Sequence, residues 1–298
     1  MKKGCKHLLK TRELEVDIFL EKHHEEHSIE KMCKVLGINR SSYYKRRTRG
    51  KRKRYIENQD LLKRIREIFE KSHECYGSPR ITAELRREGI CCNRKRTARI
   101  MSKNGIVAKI FRRYRITTNS THKNKRSENI LRQNFNRKRT NEVWTSDITY
   151  IRTEEGWLYL AAVIDIYSRK IVGWQLDKSL NTDLVEKALK NALIDRKVRS
   201  GIIFHSDQGI QYTTESFRKI LVENGFIQSM SRKGNCYDNA ITESFFHTLK
   251  TELIKRTKYQ TREEARRSIF EYIEIFYNRK RLHSSLGYRT PVEFEILT

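Results

Sequence analysis

Up to about residue 110 the apolar positions recur three or four apart, as on helix faces, and after 141 they alternate or run together, as in strands. In residues 12–27, Leu14, Ile18 and Phe19 share one face of a charged helix. Ser28 can cap a helix carrying Ile29, Met32, Cys33 and Leu36, which Gly37 ends. Asn39 or Ser41 can cap a second, with Tyr43 and Tyr44 followed by Lys45, Arg46 and Arg47. A polar, aromatic and basic second helix is the kind that enters a DNA major groove, although a plain helical hairpin gives the same spacing. Residues 1–50 are thus read as helical and helix-turn-helix-like.

Residues 50–54, Gly-Lys-Arg-Lys-Arg, read as an exposed linker. Leu61, Leu62, Ile65, Ile68 and Phe69 then form a helical stripe. Tyr76-Gly77-Ser78-Pro79-Arg80 opens a new helix with proline near its first position, carrying Ile81 and Leu85 and stopping at Gly89. Asn93 caps a third helix through Arg94, Lys95, Arg96, Arg99, Ile100 and Met101, which ends near Asn104-Gly105. Residues 55–110 are a second helical module of DNA-binding type, and 111–140, poor in apolar residues, a basic linker suited to lie along phosphates.

Residues 143–151 alternate as a strand, and Glu154-Glu155-Gly156 is a turn. Trp157 to Asp165 is apolar on both faces, which predicts a central strand, and 170–176 is a third. Asn181 caps a helix to about Asp195; residues 201–204 are a short buried strand that delivers His205-Ser206-Asp207. A helix (214–224), a strand (226–229), a helix from Asp238 to about Leu253 and a long helix at about 261–279 follow. The expected fold is therefore α/β: an RNase H-like core over 141–298, with a mixed five-stranded sheet, helices and a C-terminal helix and tail, preceded by an all-α region of helix-turn-helix type.

Charge sharpens this division. The 298 residues hold 64 Lys+Arg against 36 Asp+Glu, for a net charge of +28. Residues 1–140 carry 40 of those bases against 15 acids, and residues 141–298 carry 24 against 21. The first half reads as the part that binds a polyanion. No apolar run approaches the ~20 residues of a membrane span, and Met1-Lys2-Lys3-Gly4-Cys5 leads into a charged stretch without a secretory core, so a cytoplasmic, nucleoid-associated protein that does not enter membranes is expected. Cys5, Cys33, Cys75, Cys91, Cys92 and Cys236 are scattered without a C-x-x-C pair, which indicates neither a disulfide framework nor a Cys-rich zinc site.

Three acids stand out. Asp147 sits in mid-strand between Trp144 and Tyr150, where a half-buried charge needs a strong partner such as a metal. Asp207, followed by Gln208-Gly209, falls at a strand's C-terminal end, where open α/β sheets bind ligands. Glu243 lies in the first turns of a late helix, with Asn239 and Lys250 assigned to the same face as DNA contacts. Taken singly, each acid is as readily a salt-bridge partner or a complement to a helix dipole. Together they suit two Mg²⁺ ions, which take oxygen ligands and serve both oxygens of a phosphodiester exchange.

The intervals of 59 residues between Asp147 and Asp207 and 35 between Asp207 and Glu243 lie within ordered words. These are Trp144-Thr145-Ser146-Asp147-Ile148-Thr149-Tyr150, His205-Ser206-Asp207-Gln208-Gly209-Ile210-Gln211-Tyr212, Asp238-Asn239-Ala240-Ile241-Thr242-Glu243-Ser244-Phe245-Phe246, and Tyr277-Asn278-Arg279-Lys280-Arg281-Leu282-His283-Ser284-Ser285-Leu286-Gly287-Tyr288. Together with Leu36-Gly37-Ile38 and Tyr76-Gly77-Ser78-Pro79-Arg80-Ile81, they resemble bacterial insertion-sequence transposases with a DDE, retroviral-integrase-like core, in particular the second-frame product of a two-frame element.

The resemblance implies that Asp147, Asp207 and Glu243 are the catalytic and metal-binding residues for two Mg²⁺ (or Mn²⁺) ions. It implies that water frees a 3′-hydroxyl at an element end and that this hydroxyl attacks target DNA. Lys250 resembles a helix lysine that contacts DNA near the reacting phosphate. Tyr43, Tyr44, Lys45, Arg46, Arg47, Arg94, Lys95 and Arg96 are the further expected DNA contacts. The implied partners are terminal inverted repeats, target DNA, further copies of the chain and an upstream-frame product. The chain departs from retroviral integrases in that His23, His27 and Cys33 have no downstream C-x-x-C, so no zinc is expected. His205 is given a supporting role behind the acids, and Tyr277, Asn278, Arg281 and His283 either touch DNA or pack the last helix. A non-catalytic DNA-binding regulator, or accessory subunit that needs the upstream product, is the alternative; a structure-selective nuclease of the same fold is a third reading.

Overall fold

The computed structural model describes residues 16–48, 51–108, 126–196, 198, 200–232 and 236–298, and it divides the chain into two compact units, Met1–Glu67 and Ile68–Thr298. The part of the basic linker within 111–125 lies outside the described residues. Among the described residues no helix is long and apolar enough to cross a membrane.

In the first unit, residues 16–22 are helical and are followed by α1 (Ile29–Val35) and α2 (Arg40–Thr48). The Ser28 hydroxyl accepts the Lys31 N–H at 3.4 Å, and the Asn39 side chain accepts the Ser41 N–H at 2.9 Å, so both predicted caps form. Leu20, Met32, Cys33 and Tyr43 build the small core between these helices. The next helix, α3 (Lys51–Lys71), begins inside the stretch expected to be a linker. Lys and Arg are good helix formers, and no Gly or Pro interrupts 51–71, so the charge run continues the helix instead of breaking it.

The second unit opens with α4 (Ser78–Arg87) and α5 (Arg94–Lys103), packed through Ile81, Leu85, Ile100 and Met101. The Asn93 side chain accepts the Arg96 N–H at 2.8 Å. This helix pair is fastened to the end of the chain. The Tyr76 hydroxyl accepts the Leu282 N–H at 2.7 Å, Arg80 Nε donates to the Leu282 carbonyl at 3.0 Å, and Arg87 pairs with Glu293. Residues 126–131 run beside the sheet: the Met230 N–H donates to the Glu128 carbonyl at 3.2 Å, and Leu131 is buried.

The sheet contains β1 (Val143–Thr153), β2 (Gly156–Asp165), β3 (Ile171–Asp177), β4 (Ile203–Ser206) and β5 (Ile227–Met230), in the order β3-β2-β1-β4-β5. The first three strands are antiparallel, and β4 and β5 run parallel to β1 and to each other. β2, apolar on both faces, lies between β1 and β3 as expected. One face is covered by α6 (Thr182–Asp195) and, after the short α7 (Ile210–Thr213), by α8 (Glu215–Glu223), which close over Trp144, Val163, Phe204 and Phe226. Gly173 lets α6 approach β3 closely, since a Cβ there would fall 2.3 Å from the Ala188 carbonyl oxygen.

α9 (Ala240–Glu252) packs against β1, and α10 (Arg262–Phe270) follows it. The predicted long helix widens after Phe270 into a π-helical turn, Glu271–Tyr277, that buries Tyr272, Ile273, Phe276 and Tyr277. Asn278 then takes the place of a strand partner for β3: its amide accepts the Ile171 N–H at 3.0 Å and donates to the Ile171 carbonyl at 3.1 Å. A last helix, α11 (Pro291–Ile296), starts in a capping box between Thr290 and Glu293.

Candidate active site

β4 pairs with β1 in parallel register, Ser146 opposite Ser206, so Asp147 and Asp207 are the next residues on neighbouring strands, whose spacing is about 4.8 Å. The pairing with β4 ends there and leaves the rest of that β1 edge without β4. α9 is held over the same place. The Thr242 hydroxyl donates to the Thr145 hydroxyl at 2.8 Å, and the Asn239 amide donates to the Ser146 carbonyl at 3.3 Å. Glu243, the next residue on the helix, is thereby brought over β1. All three acids are half-buried.

The electrostatics record this convergence. Burial, and after it the charge of Asp207, hold the Asp147 carboxyl well above the ordinary carboxylate range, with Glu243 pushing the same way. The Ile148 N–H, 2.7 Å from Asp147 Oδ1, and the Lys250 charge oppose the shift without reversing it. Among the described residues, no three His, Cys, Asp or Glu side chains are drawn into a ready ligand set. The chemistry of the donors nonetheless suits a hard divalent cation: all are carboxylates, and Asp147 is a half-buried acid whose charged form a cation would restore.

Asp207 is oriented by the Gly209 N–H, which donates to Oδ1 at 2.9 Å. A Cβ on Gly209 would itself stand 2.9 Å from that oxygen, so the glycine makes room for the carboxylate. Behind the pair, the buried Tyr212 hydroxyl shares a 2.9 Å hydrogen bond with Ser146 Oγ. Burial and then the charges of Asp147 and Asp207 raise the Tyr212 phenol well above its usual range, so it remains a neutral hydrogen-bonding wall. Tyr212 stands within one of the sequence words without a role of its own there, because no periodic signal marks a tyrosine whose value lies in its hydroxyl.

His205 is fully buried. Ser229 Oγ accepts the N–H groups of Ile130 at 2.9 Å and Leu131 at 3.3 Å, so its own proton goes to His205 Nδ1 at 2.9 Å and the imidazole proton is assigned to Nε2. Burial brings the His205 pKa down to about 4, and the ring stays neutral. The neighbouring carboxylate of Asp238 anchors the start of α9, accepting from Asn129 at 2.8 Å, Gln133 at 3.0 Å and the Arg232 N–H at 3.0 Å.

The residues expected to touch DNA divide by exposure. Tyr44, Lys45 and Arg47 on α2 and Arg94 and Lys95 on α5 face outward, Arg96 is half-buried, and the Arg46 side chain lies outside the described residues. Tyr43 is only 2% exposed and is part of the core of the first unit. Asn239 is 4% exposed, with its amide turned onto Ser146. Tyr43 is taken up by a helical core and Asn239 by the bond that fixes α9 to β1, which removes both from an outer face. Lys250 is half-buried, its Nζ 4.7 Å from the Tyr150 ring centroid. Arg281 pairs with Glu252 in the interior, and Tyr277, Asn278 and His283 are likewise buried, so this segment packs the last helix.

Residues 137–236 and 243–298 match models of the integrase core domain, and residues 57–114 match an HTH-like domain. All three acids lie inside the integrase-core matches. The chain is 42% identical over 282 residues to the transposase InsF for insertion sequence IS3A of Escherichia coli (strain K12), covering 93% of this chain and 97% of that protein. It is 41% identical over 263 residues to the insertion element IS600 uncharacterized 31 kDa protein of Shigella sonnei, covering 88% and 97%. Among solved structures it is similar to a chain of the simian T-cell lymphotropic virus intasome in complex with PP2A regulatory subunit B56 gamma, with a TM-score of 0.45, 13% identity and coverage of 77% and 73%.

Proposed function

The chain belongs to the insertion-sequence transposase family that includes InsF of IS3, and from that membership we propose that Asp147, Asp207 and Glu243 carry its DNA cleavage and strand transfer. The observation that supports this reading best is the Asp147 carboxyl, half-buried in mid-strand and raised by burial and by two further acids. Folding disfavours such a charge, so a site of this kind is kept for what it binds. A regulator that only holds DNA has no use for it.

The three carboxylates would hold two Mg²⁺ or Mn²⁺ ions, which when bound activate the attacking oxygen and stabilise the leaving one. The chain's own residues do the positioning. Gly209 and the Ile148 N–H orient the two aspartates, the Thr145–Thr242 hydrogen bond sets Glu243 over them, and the Lys250 ammonium, whose charge reaches Asp147, would meet the phosphate backbone there. Water cuts at the element end and frees a 3′-hydroxyl. That hydroxyl displaces an oxygen of a target phosphodiester in line, with no covalent enzyme intermediate. Joining two ends requires at least two copies in the active complex, and the upstream-frame product is its further partner.

Glu243→Gln tests the site. In an assay of Mg²⁺-dependent cleavage and joining of element ends, this variant is expected to bind ends as the parent does and to yield neither product. Unchanged product yield would remove the metal-site assignment.

A further inference from the structure

Beside the acids, on the β1–β2 hairpin, stands an aromatic pair that the cleavage chemistry leaves unused. Trp157 is 45% exposed, and its ring meets Tyr150 edge to face, with centroids 5.2 Å apart and planes at 85°. Such a contact uses one ring's edge and leaves flat aromatic surface open. The Lys250 ammonium lies over the Tyr150 ring at 4.7 Å, and its charge also reaches Asp147, so the aromatic pair and the carboxylate trio share one cation.

The surroundings are basic. Arg152 stands directly opposite Trp157 in the β1–β2 register. Arg262 Nε donates to the Trp157 carbonyl at 3.2 Å, which brings a second guanidinium under the hairpin. Of the two acids at the turn, Glu155 accepts the Arg262 N–H at 2.8 Å and Glu154 is exposed. Exposed aromatic faces interleaved with fixed cations are the arrangement that takes up bases and backbone of an unpaired strand.

We propose that Trp157, backed by Tyr150, is a stacking site for one unpaired nucleobase close to the reacting phosphodiester. Trp157 stands opposite Arg152, five residues along β1 from Asp147, about 17 Å, so the base belongs within about five nucleotides of the cut. The inference rests on the strand-transfer reading above. A base held there keeps the end of the cut strand out of the duplex, where its 3′-hydroxyl can turn toward target DNA.

The test reads binding without turnover. Full-length protein carrying Glu243→Gln is titrated with element-end duplexes whose last five nucleotides at the cut are unpaired and carry 2-aminopurine at each position in turn. One position is expected to lose fluorescence by stacking. Adding Trp157→Ala should abolish that quenching and weaken binding of the frayed end by about 5- to 150-fold, the range of one base stack. Trp157→Phe should keep most of both, and a fully paired repeat should bind all three proteins equally. Wild-type affinity and quenching in the alanine variant would overturn the proposal, as would an equal loss on the paired repeat. If Glu243→Gln alone proves catalytically active, the metal-site reading fails while the stacking result stands on its own.

Discussion

Replacing Arg281 by Met perturbs the most deeply buried ion pair between α9 and the tail. The Arg281 and Glu252 side chains are 6% and 7% exposed, with Nη2–Oε1 at 2.8 Å and Nε–Oε2 at 2.9 Å, and the Tyr272 hydroxyl adds a bond to Glu252 at 2.7 Å. Burial alone would raise the Glu252 carboxyl, but the charge and hydrogen bonds of Arg281 outweigh it and hold the group below its ordinary value. Removing the guanidinium leaves a buried carboxylate without its counter-ion, a loss of about 3–5 kcal/mol. For a unit the size of Ile68–Thr298, at about 2–4 °C per kcal/mol, the Tm should fall by about 6–20 °C. Glu252→Gln with Arg281→Met removes both charges and leaves Tyr272 an acceptor, so the double variant should regain most of the loss, with a coupling energy of about 2 kcal/mol or more in urea unfolding. The pH dependence follows from the same group. In the parent, its contribution is present above the unfolded value near 4.5 and is lost as pH falls through the lower folded value. In Arg281→Met the stranded carboxyl takes up a proton instead, so the deficit against the parent shrinks in acid. A single variant within 1 kcal/mol of the parent, a double variant no better than the sum of the singles, or a deficit that persists in acid would refute the reasoning.

Asp147→Asn should abolish end cleavage and yet raise the Tm at pH 7.5. The folded state keeps the Asp147 proton to a higher pH than the unfolded value of 3.8, so the cost of ionisation appears only as pH rises from about 4, and melts at pH 4 should show no gain; a neutral-pH Tm below the parent's would count against the site's electrostatics. Gly209→Ala sets a methyl 2.9 Å from Asp207 Oδ1, and is expected to cost about 1–3 kcal/mol in urea unfolding and to slow end cleavage strongly. Parental cleavage rates in that variant would show that Asp207 needs no such room.

The sheet was legible because its strands obey simple patterns. β2 reads as central from apolar residues on both faces, and Asn181, Thr214 and Asn93 announce their helices because each cap is a local hydrogen bond. The elements carrying Asp147, Asp207 and Glu243 could be named for the same reason, since a strand, a strand end and a helix start each have a sequence sign. What the pattern hides is pairing across distance. Nothing near Glu252 points to Arg281, and nothing near Asn239 points to the Ser146 carbonyl. Tyr43 carries the composition of a groove-reading residue but has the apolar bulk that a small helical core needs, and the core claims it. The π turn at Glu271–Tyr277 reads as ordinary helix in the sequence, since no local sign there distinguishes the wider form, and it buries Tyr272, Ile273, Phe276 and Tyr277.

The bonds from Tyr76 and Arg80 to Leu282, and the pairing of Arg87 with Glu293, also bear on how the helix-turn-helix-like segment can be exchanged between relatives. The helix-turn-helix-like segment is not a detachable cassette. A recombination event, or a designed chimera, that exchanged residues 57–114 alone would pair Tyr76, Arg80 and Arg87 of one lineage with a tail fitted to another. The two distant stretches of gene must therefore change together, and a hybrid keeps its fold only when residues 280–293 travel with the helices they hold.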